Sequence, residues 1–182
     1  YDVEGLERLY TGNDTRAAKI LREVRDKVTD PLRMRALGFC VSVRHAQYMA
    51  RVFREAGIPA LAVSGETPAK ERDQALRALR NRDVNVLFAV DLFNEGLDVP
   101  DVDTILMLRP TQSATVFLQQ LGRGLRRAPD KAVLTVLDFI GQHRREFRFD
   151  LLYRAITGVS RRRLLEQVEE GFPYLPSGCA LV

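Results

Sequence analysis

Hydrophobic and polar positions follow two different periods along the first third of the chain. Apolar residues recur every three or four positions over residues 13–28, which predicts an amphipathic helix with Asn13 or Asp14 as its N-cap. The next apolar run, ALGFCVSV at 36–43, is short and rich in β-branched and aromatic residues, so it predicts a strand buried on both faces. A second helical period follows at once and ends near Gly57; its apolar positions are Ala46, Met49, Ala50, Phe53 and Ala56.

The alternation of short apolar runs with helical periods continues to about residue 140. Further strands are predicted at 60–63, 85–90, 104–108 and 132–139. One helix is predicted from Pro68 with Thr67 as its cap, and another over 113–126. Because parallel strands need crossover helices, this pattern predicts an α/β domain with a mainly parallel sheet flanked by helices.

Composition bounds the class of protein. The chain has 182 residues, of which 46% are hydrophobic and 29% charged, as expected for one folded domain with extensions. A net charge of +4 is compatible with a nucleic-acid partner but does not establish one. Two distant cysteines and two histidines give neither a disulfide framework nor zinc-site spacing, so we expect a cytoplasmic protein. No apolar run reaches the ~18 residues of a membrane span; we expect a monomer without a membrane partner.

The stretch QQLGRGLRR at 119–127 carries the strongest chemical pattern. Arg123 and Arg126 are three residues apart, so a helix places both on one face, and the arginine fork suits phosphate oxygens. Gly122 and Gly124 each cost a helix ~1 kcal/mol relative to alanine, which favours a close approach to the backbone. On spacing alone, a solvated basic helix end that counters the helix dipole remains an alternative. The chain contains no glycine-rich phosphate loop ending in Gly-Lys-Ser/Thr.

Several segments of the chain resemble motifs of superfamily 2 helicases. QQLGRGLR at 119–126 matches the sixth motif, in which Gln or His precedes Gly-Arg-x-x-Arg. AVDLFNEGLDVPDVDTIL at 89–106 resembles the fifth motif, and GFCVSVRHAQYMARVF at 38–53 is similar to the fourth. VSGETPAKER at 63–72 looks like the segment that follows the fourth motif. The resemblance covers roughly residues 37–140 and is nearest to the restriction-enzyme and excision-repair branch.

The chain departs from the fifth motif at two positions. Val90 and Glu95 occupy positions where many relatives have Thr and Arg. The Thr is a nucleic-acid contact in those relatives, so such a contact from position 90 is not expected here. The Glu-Gly-x-Asp sequence that includes Glu95 itself resembles the excision-repair branch.

The resemblance implies a three-layer RecA-like fold of the P-loop NTPase type, and it implies only the second of two such lobes. ATP and Mg²⁺ would be bound mainly by the N-terminal RecA-like lobe of the same polypeptide, which carries the phosphate loop. We therefore expect the isolated chain not to hydrolyse ATP. In this interpretation residues 1–35 are a helical lead-in, 36–142 the helicase C-terminal lobe, and 143–182 a basic helical extension.

The resemblance also implies roles for individual residues. Arg123 and Arg126 would be catalytic arginine fingers that reach the γ-phosphate, and Gln119 would help to position them. Gly96 and Asp98 would belong to the cofactor-binding site, with Gly96 allowing a turn beside the nucleotide. Asp98 would accept a hydrogen bond from the ribose or couple to Arg123.

Nucleic acid would cross the carboxyl ends of the strands, where ligands bind in open parallel sheets. Arg44, Ser64 and Gly65 are the candidate nucleic-acid contacts, through phosphates rather than bases. For Arg44, a solvated helix start is the alternative. His45 and Cys40 are interpreted as packing residues.

The function predicted from the sequence is the second lobe of an ATP-dependent DNA helicase or translocase. DNA is favoured over RNA because the sixth motif begins with Gln, whereas the RNA-helicase branch usually has His. The alternative is a non-catalytic nucleic-acid-binding or regulatory interaction module derived from such a lobe. The basic stretch at 142–165 is either an amphipathic helix that covers the lobe or a DNA-tracking surface.

Overall fold

The computed structural model describes residues 2–90, 102–110 and 135–139, all within one of the two compact units into which the chain divides. In chain order the elements of these residues are α1 (Val3–Tyr10), α2 (Asp14–Lys27), β1 (Ala36–Phe39), α3 (Val43–Glu55), β2 (Ala60–Ser64), α4 (Ala69–Asn81), β3 (Val86–Val90), β4 (Thr104–Met107) and β5 (Thr135–Asp138). The predicted helix at 113–126 and the extension at 143–182 lie outside the described residues. Within the described ranges, every helix is too short or too polar to cross a bilayer.

The sheet has the strand order β2-β3-β1-β4-β5, and every pair of neighbours is parallel. β1 lies at its centre, where Phe39 pairs with Ala89 on one side and Met107 on the other. All residues of β1, β3 and β4 are buried, as expected for strands covered on both faces. The α/β class with a mainly parallel sheet is therefore confirmed.

Side-chain caps explain where the helices begin. Asn13 accepts a hydrogen bond from the Arg16 amide at 3.0 Å and starts α2, which confirms the predicted helix and its cap. The strand predicted at 36–43 ends at Phe39, because Ser42 accepts a hydrogen bond from the His45 amide at 3.2 Å and caps α3 instead.

The predicted start of α4 is wrong by one residue. Pro68 occupies the N-cap position rather than the first helical turn, and no side chain caps the helix. The Thr67 hydroxyl accepts a hydrogen bond from the Ser64 amide at 2.9 Å, so it stabilises the preceding turn rather than the helix.

Gly38 lies in the central strand β1, and the ring of Phe88 packs against its backbone. Its register partner on β3 is Phe88, which is fully buried and packs edge-on against Phe53 of α3 at 5.0 Å between ring centroids. A Cβ atom at position 38 would lie 2.7 Å from Cε1 of Phe88 and closer still to Cδ1. The absence of a side chain at Gly38 is thus what admits the Phe88 ring to the core.

His45 is fully buried at the start of α3, as the sequence predicts for a packing residue. Its Nδ1 accepts a hydrogen bond from the Val41 amide at 3.4 Å, and its ring lies 5.5 Å from that of Tyr10. Burial and, to a smaller extent, the positive charge of Arg16 lower the pKa of His45 to about 4, although the negative charge of Glu7 opposes the change. His45 is therefore neutral at physiological pH.

Replacement of Gly38 tests the packing of the central strand. We expect Gly38→Ala to lower the free energy of unfolding by about 1–3 kcal/mol, because the new methyl group displaces the Phe88 ring. Urea unfolding measures the change. The matched control is Gly65→Ala, where nothing lies within 4 Å of the added Cβ; we expect less than ~0.5 kcal/mol there. Equal effects of the two substitutions would contradict this account.

The buried His45 predicts a loss of stability in acid. Its pKa is lowered from 6.5 to about 4, so between these values the unfolded chain binds a proton that the folded chain does not. Stability from this group is complete above pH 6.5 and is lost as the pH falls towards 4. Between pH 7 and pH 4 we expect wild type to lose roughly 3 kcal/mol more than His45→Asn, which retains an acceptor for the Val41 amide. Urea unfolding measures the free energy of unfolding at each pH. An equal loss of that free energy in the two proteins between pH 7 and pH 4 would refute the lowered pKa of His45.

Candidate nucleic-acid and nucleotide interface

Parallel pairing brings the carboxyl ends of the five strands to one edge of the sheet. Ser64 is level with Val90 by register, and the Cys40 amide donates to the Ala89 carbonyl at 2.9 Å. On the other side, the Leu108 amide donates to the Phe39 carbonyl at 3.1 Å. The loops that follow the strands therefore begin side by side, about 5 Å apart from one strand to the next. We call this row the carboxyl edge.

Arg44 is an exposed cation at this edge. It is the second residue of α3, directly beyond β1, and 77% of its side chain is exposed. Its Nη1 donates to Oε1 of Glu7 in α1 at 3.3 Å, so the guanidinium forms an ion pair that the sequence did not predict. The guanidinium remains accessible to a phosphate.

Ser64 and Gly65 form a tight turn at the end of β2. Ser64 is only 7% exposed, its hydroxyl accepts from the Glu66 amide at 3.3 Å, and its carbonyl accepts from the Thr67 amide at 3.0 Å. These bonds present Gly65 at the tip, exposed and with open space around it. Because β3 separates β2 from β1, the turn and Cys40 lie about 10 Å apart along the edge.

Arg16 is a residue that sequence analysis missed. From the first turn of α2 it donates through Nη2 to the Phe139 carbonyl, just beyond β5, at 2.8 Å. Its guanidinium lies 4.0 Å above the Tyr10 ring centroid, and burial lowers its pKa. No periodic pattern marks position 16 as half-buried, because its hydrogen-bond partner is a carbonyl 123 residues away in the sequence.

Cys40 lies in the core beneath the edge, as predicted. Its side chain is fully buried, and burial raises the pKa of the thiol, although the charges of Arg109 and Arg16 oppose that change. The thiol is therefore protonated and unreactive at neutral pH. Within the described ranges, no cluster of three or more His, Cys, Asp or Glu side chains has the arrangement of a metal site.

The residues of the fifth and sixth helicase motifs lie outside the described residues. These are Gly96, Asp98, Gln119, Arg123 and Arg126. The described part fixes where their segments leave the sheet: residues 91–101 follow Val90 at the end of β3, and residues 111–134 follow Pro110 beyond β4. These two strands flank β1 on either side.

Comparison with known proteins identifies the family. The family described as Helicase conserved C-terminal domain matches residues 18–128, more than half of the chain. The putative ATP-dependent helicase IRC3 of Saccharomyces cerevisiae is 37% identical over 103 residues, which cover 57% of this chain and 15% of that protein. UvrABC system protein B of Thermotoga neapolitana is 28% identical over 147 residues, or 74% of this chain and 22% of that protein.

A solved structure agrees with the sequence relatives. The Escherichia coli DEAD-box protein SrmB is 25% identical, with a TM-score of 0.56 over 69% of this chain and 71% of that one. The matched region spans less than a quarter of IRC3 and of the UvrABC protein. The predicted resemblance and the RecA-like fold are thereby confirmed, and the chain belongs to the helicase conserved C-terminal domain family as a superfamily 2 C-terminal lobe of the excision-repair and restriction type.

Proposed function

We propose that this chain is the second lobe of an ATP-dependent DNA helicase or translocase. The observation that carries the proposal is the strand order β3-β1-β4, because the fifth-motif segment follows β3 and the sixth-motif segment follows β4. Both segments thus leave the carboxyl edge within about 10 Å of each other. Ligands of open parallel sheets bind at this edge, and the chain's family membership favours a nucleotide and a nucleic acid there.

In this proposal the chain contributes positively charged side chains to ATP hydrolysis, and it does not contribute the loop that binds the phosphates. ATP provides the γ-phosphoryl group that water attacks, and the N-terminal lobe of the longer polypeptide holds its phosphates and Mg²⁺. Arg123 and Arg126 stabilise the negative charge that spreads over the transferred group, and Gln119 positions them. We assign Gly96 and Asp98 of the fifth-motif segment to the nucleotide-binding site in the same proposal. Closure of the lobes on ATP is then coupled to stepping along a strand.

The nucleic-acid track runs along the carboxyl edge past Arg44 and Gly65. Arg44 offers an exposed guanidinium, and Gly65 offers a backbone that a phosphate can approach without meeting a side chain. The largely buried Ser64 holds the turn that presents Gly65. Such contacts recognise the backbone and not the bases, as a motor that steps along any sequence requires.

Substitution of Arg126 tests the catalytic part of the proposal. In the longer polypeptide, we expect Arg126→Ala to lower DNA-stimulated ATP turnover about 10³-fold or more, because an arginine finger acts on the transition state. Nucleotide binding, measured with a fluorescent ATP analogue, should remain largely intact. The matched control is Arg127→Ala, which removes the same charge one residue away and should retain most of the turnover.

Two outcomes would contradict the catalytic proposal. Undiminished turnover in Arg126→Ala would exclude the finger assignment and favour a non-catalytic nucleic-acid-binding or regulatory module. ATP hydrolysis by the 182-residue chain alone would show that this chain has its own phosphate site, contrary to the proposed division between lobes.

Substitution of Arg44 tests the nucleic-acid track. We expect Arg44→Gln to weaken binding of the 182-residue chain to single-stranded DNA about 2- to 5-fold and equally for different sequences. The dependence of log K on log salt should become shallower by up to about 0.7. Fluorescence anisotropy at several salt concentrations measures both, and matched RNA oligonucleotides test the preference for DNA. The control is Arg51→Gln on the same helix, about 10 Å further from the edge and paired with Glu55; equal losses in the two variants would exclude a specific contact.

A further inference from the structure

Helix α1 is held on the carboxyl edge through one face. Tyr10 at its end is 5% exposed and packs against the buried His45 ring, and the Arg16 guanidinium lies over the Tyr10 ring, 4.0 Å from its centroid. Glu7 precedes Tyr10 by three residues and therefore lies on the same helical face. The packing of Tyr10 thus turns the Glu7 carboxylate towards α3.

The surroundings of Glu7 differ from those of the other acidic residue of α1. Glu7 is 23% exposed and its Oε1 accepts from Nη1 of Arg44 at 3.3 Å. Glu4 lies on the outer face, is 86% exposed, and pairs with Arg8 at 3.6 Å within its own helix. The Glu7 carboxylate thus pairs with a cation of another helix, whereas the Glu4 carboxylate pairs within α1.

A carboxylate and a phosphodiester bind a guanidinium in the same way, through oxygens that accept its N–H groups. The Glu7 carboxylate therefore occupies part of the donor set that a nucleic-acid phosphate needs from Arg44. It also neutralises the positive charge that would attract that phosphate. Both effects act before any nucleic acid binds.

We propose that Glu7 is an internal competitor of the nucleic-acid phosphate for Arg44, so that α1 sets the affinity of the carboxyl edge for a single strand. This inference rests on the proposed nucleic-acid track. The phosphodiester takes the place of the Glu7 carboxylate as the partner of Arg44. Arg44 is the more exposed residue of the ion pair, so its side chain turns from Glu7 to the phosphate. Because exposed ion pairs are weak, displacement costs about 2- to 5-fold in affinity and does not prevent binding.

The test is the isosteric substitution Glu7→Gln in the 182-residue chain, with fluorescent oligo-dT as the probe. We expect binding to tighten about 2- to 5-fold at low salt. The slope of log K against log salt should become steeper by up to about 0.7, because the Arg44–phosphate contact then releases counterions without freeing a carboxylate that takes up a cation. Circular dichroism and the unfolding midpoint verify the fold, and Glu7→Ala should give the same gain.

The control and the double variant separate competition from a general effect of charge. Glu4→Gln changes the net charge equally on the same helix, and we expect a gain of less than about 1.5-fold, since screening by salt weakens its reach. In an Arg44→Gln background, Glu7→Gln should leave the affinity unchanged.

The outcomes distinguish this inference from the function on which it rests. If Arg44→Gln weakens binding but Glu7→Gln binds as wild type does, the competition is refuted and the track stands. A gain from Glu7→Gln that persists without Arg44, or that equals the gain from Glu4→Gln, also refutes competition. If Arg44→Gln and the double variant both bind DNA as tightly as wild type does, Arg44 is not part of the track. The competition proposal then fails as well.

Discussion

The parallel hydrogen bonding of β1 to β3 and β4 is the constraint on which the rest of the structure depends. Those bonds fix the register in which Phe39 faces Ala89 and Met107, and the register brings every strand end to one edge. Gly38 makes this pairing compatible with a tight core because it leaves room for the Phe88 ring. One edge of the sheet consequently carries Arg44, the Ser64 turn and the points where the segments after Val90 and Pro110 begin.

Much of the fold could be predicted from local patterns because the strands are short apolar runs and the helices keep a regular period. The errors occurred where a polar side chain had two possible partners. Ser42 reads as the end of a strand but caps α3, and Thr67 reads as a cap but bonds to Ser64. Sequence periodicity indicates which face of an element is buried. It does not indicate which backbone amide a hydroxyl will bind, because only the folded chain brings the competing amides near.

The candidate site was predictable to the extent that it is local. Arg44 and Gly65 follow strands directly, so their place at the edge follows from the α/β alternation. The ion pair of Arg44 with Glu7 and the hydrogen bond of Arg16 to Phe139 join residues more than 30 positions apart and leave no periodic signal. The motif arginines were identified by resemblance, because spacing alone also fits a solvated helix end.

The hydrogen bond from Arg16 to the Phe139 carbonyl joins the second helix of the chain to the end of its last described strand. During synthesis α1 and α2 leave the ribosome long before β5. The Arg16 guanidinium therefore lacks the Phe139 carbonyl until more than a hundred further residues have been added. The hydrogen bond between α2 and the Phe139 carbonyl can therefore form only after β5 has joined the edge of the sheet.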